Sequence, residues 1–241
     1  MTADGEHHYE EIWTPGRAAL IDSTDGSLLL ELPEPAGGER PWRPTSIALD
    51  RGARGTGDIW VADGYGASLV HRFDGEGRHI ATFDGSASGL RFDCPHGIMI
   101  RDDGAKARVL VADRGNHRIV ALNGEGGLVE VFGADHLDSP SAMVNLNGEL
   151  FVTELFGGIA RFDGAGRFVS VLEPRRPRDH REPGWPNRPR PDDADALQAP
   201  SLEPGCFNSP HGIAAHEGSL YATEWLIGGR LVRVRPASSR P

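Results

Sequence analysis

The chain reads as an all-β protein, a β-propeller built of four-stranded blades, and three observations say so. Short runs of apolar and β-branched residues return in a fixed order, Asp-Gly and Asn-Gly turns separate them, and the unit repeats roughly every 40 to 50 residues. No helical periodicity interrupts the runs. A β-sandwich, the other all-β solution, requires no such repeated phase of motifs.

The units follow one another along a single propeller domain spanning 1–241. Residues 11–32 keep only the outer half of a unit. The 44–83 unit carries Ser46-Ile47-Ala48-Leu49, Ile59-Trp60-Val61-Ala62-Asp63, Leu69-Val70-His71-Arg72-Phe73 and His79-Ile80-Ala81-Thr82-Phe83, with the turn Asp74-Gly75-Glu76-Gly77 before the last run. The 95–132 unit repeats that order around Asn123-Gly124-Glu125-Gly126, and the 140–172 unit repeats it around Asp163-Gly164-Ala165-Gly166. A Pro- and Arg-rich insert, 173–205, then breaks the repeat, and it is read either as a lid or as a disordered surface insertion. The 210–234 unit stops before its outer strand. The expected product is an N-terminally incomplete or open propeller, whose exposed strand edges favour self-association.

Composition excludes several function classes. With 35 acidic against 25 basic residues and a net charge of -10, the chain has no basic stripe to displace counterions from a phosphate backbone, so nucleic acid is not an expected partner. No apolar run reaches the length that spans a bilayer, and Met1 to His8 has neither a basic nor an apolar segment. No membrane partner and a cytoplasmic location are therefore expected. Two cysteines, Cys94 and Cys206, do not make a disulfide framework, and whether they pair is open at this stage.

Two tripeptides in register carry the chemical signal. Pro95-His96-Gly97 and Pro210-His211-Gly212 each open an inner strand, and a repeat with its histidine at a fixed phase can bring imidazoles around one axis as metal ligands. The alternative is a turn whose imidazole bonds to backbone. In an up-and-down blade, the approach to the inner strand and the loop between second and third strands lie on the same face. His96, His211, Asp63-Gly64-Tyr65-Gly66, Asp113-Arg114-Gly115-Asn116 and Trp225 are thus expected at one mouth. The acidic residues ending each second strand, Asp63, Asp113, Glu154 and Glu224, read as loop caps. His71, His79 and His117, on or beside third and fourth strands, are expected at the surface.

These motifs, together with Val111-Ala112-Asp113-Arg114-Gly115-Asn116-His117-Arg118-Ile119, resemble the six-bladed NHL-repeat propellers, and within them the peptidyl-α-hydroxyglycine α-amidating lyase branch, over about residues 44–234. The resemblance implies a zinc-dependent lyase that splits a hydroxyglycine-type C–N bond into an amide and glyoxylate, acting on a small-molecule or peptide-terminal substrate. It implies His96 and His211 as Zn²⁺ ligands, Tyr65 as the base, and Arg114 as the group that holds carboxylate or developing charge. Trp225 faces the same mouth and is a candidate substrate contact. Thr45 stands where the 44–83 unit has its matching position, and the third zinc histidine is not identified. The family's methionine corresponds to Ser209, and the aspartate of its Ca²⁺ region to Gly212. The alternative reading is a non-catalytic NHL-repeat propeller that binds a peptide or protein partner.

Overall fold

The computed structural model describes residues 16–36, 40–51, 55–102, 107–172 and 180–235. Helical structure among them is confined to short 3-10 turns such as Ser86–Ser88 and Arg114–Asn116, so no helix is long and apolar enough to cross a membrane. The described residues group into two compact units, 16–134 and 135–235.

The first unit begins with a hairpin, β1 (Ala19–Ile21) and β2 (Leu28–Glu31). Blade one follows as β3 (Ser46–Leu49), β4 (Ile59–Asp63), β5 (Leu69–Phe73) and β6 (His79–Phe83); blade two is β7 (Pro95–Asp102), β8 (Ala107–Asp113), β9 (Arg118–Asn123) and β10 (Leu128–Phe132). In each blade every strand pairs antiparallel with the next. Strand β4 is buried along its whole length because both faces of blade one are covered. Side chains alternate across a strand, so Trp60, Ala62 and Val70 enter a cluster with Ile98, Val109 and Val111 of blade two, while Ile59, Val61 and Phe73 pack with Ala18, Leu32 and Trp42. This second cover also buries His71, at 3 % exposure, which corrects the surface placement expected from its strand position. His79 and His117 are exposed as expected.

The second unit contains blade three, β11 (Pro140–Leu146), β12 (Glu149–Glu154), β13 (Ile159–Phe162) and β14 (Phe168–Leu172), then the short ladder β15 (Arg188–Pro189) with β16 (Leu197–Gln198). Blade four is β17 (Pro210–His216), β18 (Ser219–Glu224) and β19 (Arg230–Val234), three strands among the described residues. Its Leu220 and Ala222 share a core with Phe151 and Ile159 of blade three. The insert folds against these blades: Asn187 Oδ1 accepts the Ile227 N–H at 2.7 Å, Asn208 Nδ2 donates to the Pro186 carbonyl at 3.0 Å, and the Trp185 ring meets Phe156 edge-on at 5.1 Å. Trp185, Pro186 and Asn187 are buried by these contacts, most of 188–205 is exposed, and Arg175 to Arg178 lie outside the described residues. The six blades implied by the resemblance are not reached, since the described residues build four.

Two local devices recur, and both were visible as sequence patterns. In the turn before each outer strand of blades one to three, the first side chain accepts two backbone N–H groups: Asp74 from Glu76 and Arg78, Asn123 from Glu125 and Gly127, Asp163 from Ala165 and Arg167. The fourth turn residue is then left-handed, which is why Gly77, Gly126 and Gly166 stand there. At the opposite end, the carboxylate closing each second strand accepts from backbone one or two residues before the inner-strand proline. Asp63 holds Arg43 N, Asp113 holds Asp93 N, Glu154 holds Asp138 N and Ser139 N, and Glu224 holds Asn208 N and Ser209 N. The loop-cap reading of these four residues describes what they do.

Candidate functional site

A β-bulge places His96. The pairing of β7 with β8 slips between Pro95 and Gly97, so His96 is the extra residue and its ring is turned out of the ladder. The same slip between Pro210 and Gly212 leaves His211 as the extra residue of β17. Pro-His-Gly is therefore the sequence form of a bulge at an inner-strand start.

Tyr65 comes to His96 because two glycines let its loop close. A Cβ on Gly64 would lie 2.6 Å from the Pro95 carbonyl oxygen, and one on Gly66 would collide with the Asp63 carboxylate that caps the loop. Arg114 is set by backbone: its N–H donates to the Cys94 carbonyl at 3.2 Å and that of Gly115 to the Asp93 carbonyl at 2.8 Å. The result is a compact cluster in which the Tyr65 hydroxyl lies 3.2 Å from His96 Nε2 and accepts from an Arg114 guanidinium nitrogen at 3.3 Å. The Tyr65 and His96 rings meet edge to face, 5.5 Å between centroids. His96 is 5 % exposed, while Tyr65 and Arg114 are half-buried, so the phenol and the cation are the accessible part.

Burial dominates the electrostatics around the cluster. It pushes the Asp63 carboxyl up against the hydrogen bonds from Ala67 and Arg43, and the Asp113 carboxyl up against those from Asp93, Asn116 and Arg118. Burial also raises the Cys94 thiol, with the Arg114 cation opposing it. The proximity of Cys94 to Arg114 was not legible in the sequence, because Cys94 adopts a left-handed backbone, φ 51°, that turns it back on the loop. Neither Cys94 nor Cys206 is in a disulfide, and the Cys206 thiol lies 3.9 Å from a Glu203 carboxylate oxygen.

Three of the five sequence-predicted residues, Tyr65, His96 and Arg114, are thus brought together in the first unit. His211 and Trp225 belong to the second. There the His211 carbonyl accepts from Thr153 Oγ1 at 3.0 Å, and Trp225 exchanges backbone and hydroxyl hydrogen bonds with Ser209, its ring 6.3 Å from that of Trp185. A catalytic zinc ordinarily takes three protein ligands. Beside His96 the first unit supplies a phenol and a guanidinium, and among the described residues no three His, Cys, Asp or Glu side chains gather as a metal-ligand set. The donors in this unit do not by themselves fit zinc; they fit proton exchange and anion contact.

No protein-family model matches the chain, and no characterised protein matches it by sequence. Among solved structures it is similar to virginiamycin B lyase from Staphylococcus aureus, with 14% identity and a TM-score of 0.53 over 92% of this chain and 64% of that one. It is also similar to hydrazine synthase from Kuenenia stuttgartiensis, at 17% and 0.52 over 91% and 60%, and to a chain of the nidogen/laminin complex, at 18% and 0.56 over 85% and 62%. The chain spans less than two thirds of the length of each. At these identities the likeness concerns the fold alone, and that fold is a β-propeller.

Proposed function

We propose that the chain is a lyase-like propeller that holds a small carboxylate-bearing or peptide-terminal substrate at the Tyr65–His96–Arg114 cluster and breaks a C–N bond there by proton transfer. The observation that carries this reading is the Tyr65 hydroxyl set between an imidazole nitrogen at 3.2 Å and a guanidinium nitrogen at 3.3 Å. An imidazole exchanges protons near neutral pH, and a cation donating to the phenolic oxygen stabilises negative charge that develops on it. A guanidinium has five N–H donors in a fork, enough to serve Tyr65 and a planar carboxylate.

For a hydroxyglycine-ended peptide the step balances without an oxidant. Tyr65 passes its own proton to His96 Nε2 as it takes the substrate hydroxyl proton, the hydroxyl oxygen forms the carbonyl of glyoxylate, and the C–N electron pair leaves on nitrogen, which recovers a proton from the imidazolium through Tyr65 to become the amide. Zinc and calcium are ions to be assayed, and no step passes through either.

The test is glyoxylate release from a hydroxyglycine-ended peptide by the full chain, with and without added zinc. The expected result is release, slowed by about 10²- to 10⁴-fold in Tyr65→Phe. No release from the unaltered chain under either condition overturns the lyase reading. The second reading, a non-catalytic propeller that binds a peptide or protein partner, is favoured by one observation: Ile21, Leu28 and Leu29 of the β1–β2 hairpin are 55–60 % exposed, an apolar patch of the kind that marks contact surfaces. Binding of the same peptide without turnover, unchanged in Tyr65→Phe, would establish it.

A further inference from the structure

His71 and His79 converge on a single hydroxyl. His71 Nδ1 lies 2.9 Å from Thr82 Oγ1, and His79 Nε2 lies 2.9 Å from the same oxygen. A threonine hydroxyl has one proton, so it donates to one ring and accepts from the other, and both bonds are satisfied when both imidazoles are neutral. The His71 ring also meets the Trp42 ring edge-on, 5.4 Å between centroids, and Trp42 shares a buried cluster with Val61 and Phe73 of blade one. Trp42 is 3 % exposed, yet its indole Nε1 has no hydrogen-bond partner among the described residues.

We propose that this His71–Thr82–His79 chain is an acid-sensitive latch for Trp42, which leaves its seat when His71 gains a proton. Among the described residues, none of the charged groups around His71 pairs with its ring. His79, on β6, is the titratable group that acts on it, and two imidazoles 5.7 Å apart oppose each other's charge. Arg72 and its partner Asp58 lie on the other face of blade one, with Arg72 over Trp60. On the covering segment Glu34 is engaged by the Trp42 N–H, at the end of β4 Asp63 is engaged by the Arg43 N–H, and the Arg17–Glu31 pair of the hairpin is exposed. A buried charge without a partner is relieved most cheaply by letting water in.

Trp42 is the side chain suited to yield. Its departure hydrates His71 and gives the orphaned indole N–H a water partner, so one movement relieves two buried polar groups. The movement also reaches the loop of Tyr65, because Arg43, next to Trp42, is tied to Asp63 at the start of that loop.

The experiment follows Trp42 emission in the full chain, as the difference between the unaltered protein and Trp42→Phe, while pH is lowered from neutrality to about 4, with far-UV circular dichroism recorded in parallel. The expected result is a red shift with its midpoint between about 4 and 6.5, at constant β signal. His71→Gln abolishes the shift; His79→Gln moves it to higher pH, because the opposing imidazole is gone, and this variant carries the test if His71→Gln does not fold. The proposal is overturned by no red shift down to about pH 4, by a shift that coincides with loss of the β signal, or by a midpoint unmoved in the variants. It is also overturned if His71 titrates at or above its ordinary value, as an imidazolium held against the indole face would.

Discussion

Gly64 carries no side chain because the Pro95 carbonyl oxygen occupies the place where its Cβ would be, at 2.6 Å. That contact lets the β4–β5 loop of one blade reach the inner strand of the next and sets Tyr65 against His96. Gly64→Ala is expected to cost about 1–3 kcal/mol by overpacking, read as a fall in the urea midpoint. It should also displace Tyr65 and reduce any activity that depends on the cluster.

Asp113 and Arg118 form an ion pair with side-chain exposures of 0% and 6%, and Asp113 also holds Asp93 N and Asn116. Asp113→Ala leaves the cation and a backbone N–H without that acceptor. A loss of about 3–5 kcal/mol is expected, and a urea midpoint within error of the parent would refute the assigned role.

Gly124 and Gly126 sit two residues apart in one turn and should respond in opposite ways. A Cβ on Gly126, φ 83°, would collide with the Phe83 ring, whereas one on Gly124 meets nothing within 4 Å. Gly126→Ala should lower stability by about 1–3 kcal/mol, and Gly124→Ala should stay within about 0.5 kcal/mol of the parent. Paired thermal melts decide it.

Burial, reinforced by His79, lowers the His71 pKa from 6.5 to about 4. The unfolded chain therefore binds this proton more readily than the folded one. The stability that depends on neutral His71 is fully present above pH 6.5 and is lost as pH falls toward 4, with a slope of at most about 1.4 kcal/mol per pH unit. In His71→Gln, urea midpoints measured across that window should lose this component of the slope.

Asn208 ties the insert to the blades through the Pro186 carbonyl. Asn208→Ala should leave that carbonyl unpaired at a cost of about 1–2 kcal/mol and speed limited proteolysis within 180–205. Cleavage that begins elsewhere first would show that the insert is held by other contacts.

Much of this architecture was legible in the chain because it is governed by short-range chemistry. Asp74, Asn123 and Asp163 announce their turns by capping backbone two and four residues ahead, and the apolar runs between those turns are the strands. The meeting of Tyr65, His96 and Arg114 follows the blade pattern as well, because blade topology assigns the Tyr65 and Arg114 loops and the His96 strand start to one end. The burial of His71 was not legible, since it depends on Ala18, Leu32 and Trp42, from outside the blade, packing over blade one. Nor could the insert's anchoring be read, because Asn187 and Asn208 find their partners at Ile227 and Pro186.

The sequence by itself determined the blades, their turns and the place of His96 and His211 at inner-strand starts, because Asx capping, left-handed glycines and apolar strand runs act within a few residues. Only the tertiary structure decided which polar groups meet: Tyr65 with His96 and Arg114, Cys94 with Arg114, His71 beneath Trp42. Those meetings depend on ångström-scale approaches between segments distant in the chain, such as Gly64 against Pro95, and no local pattern encodes them.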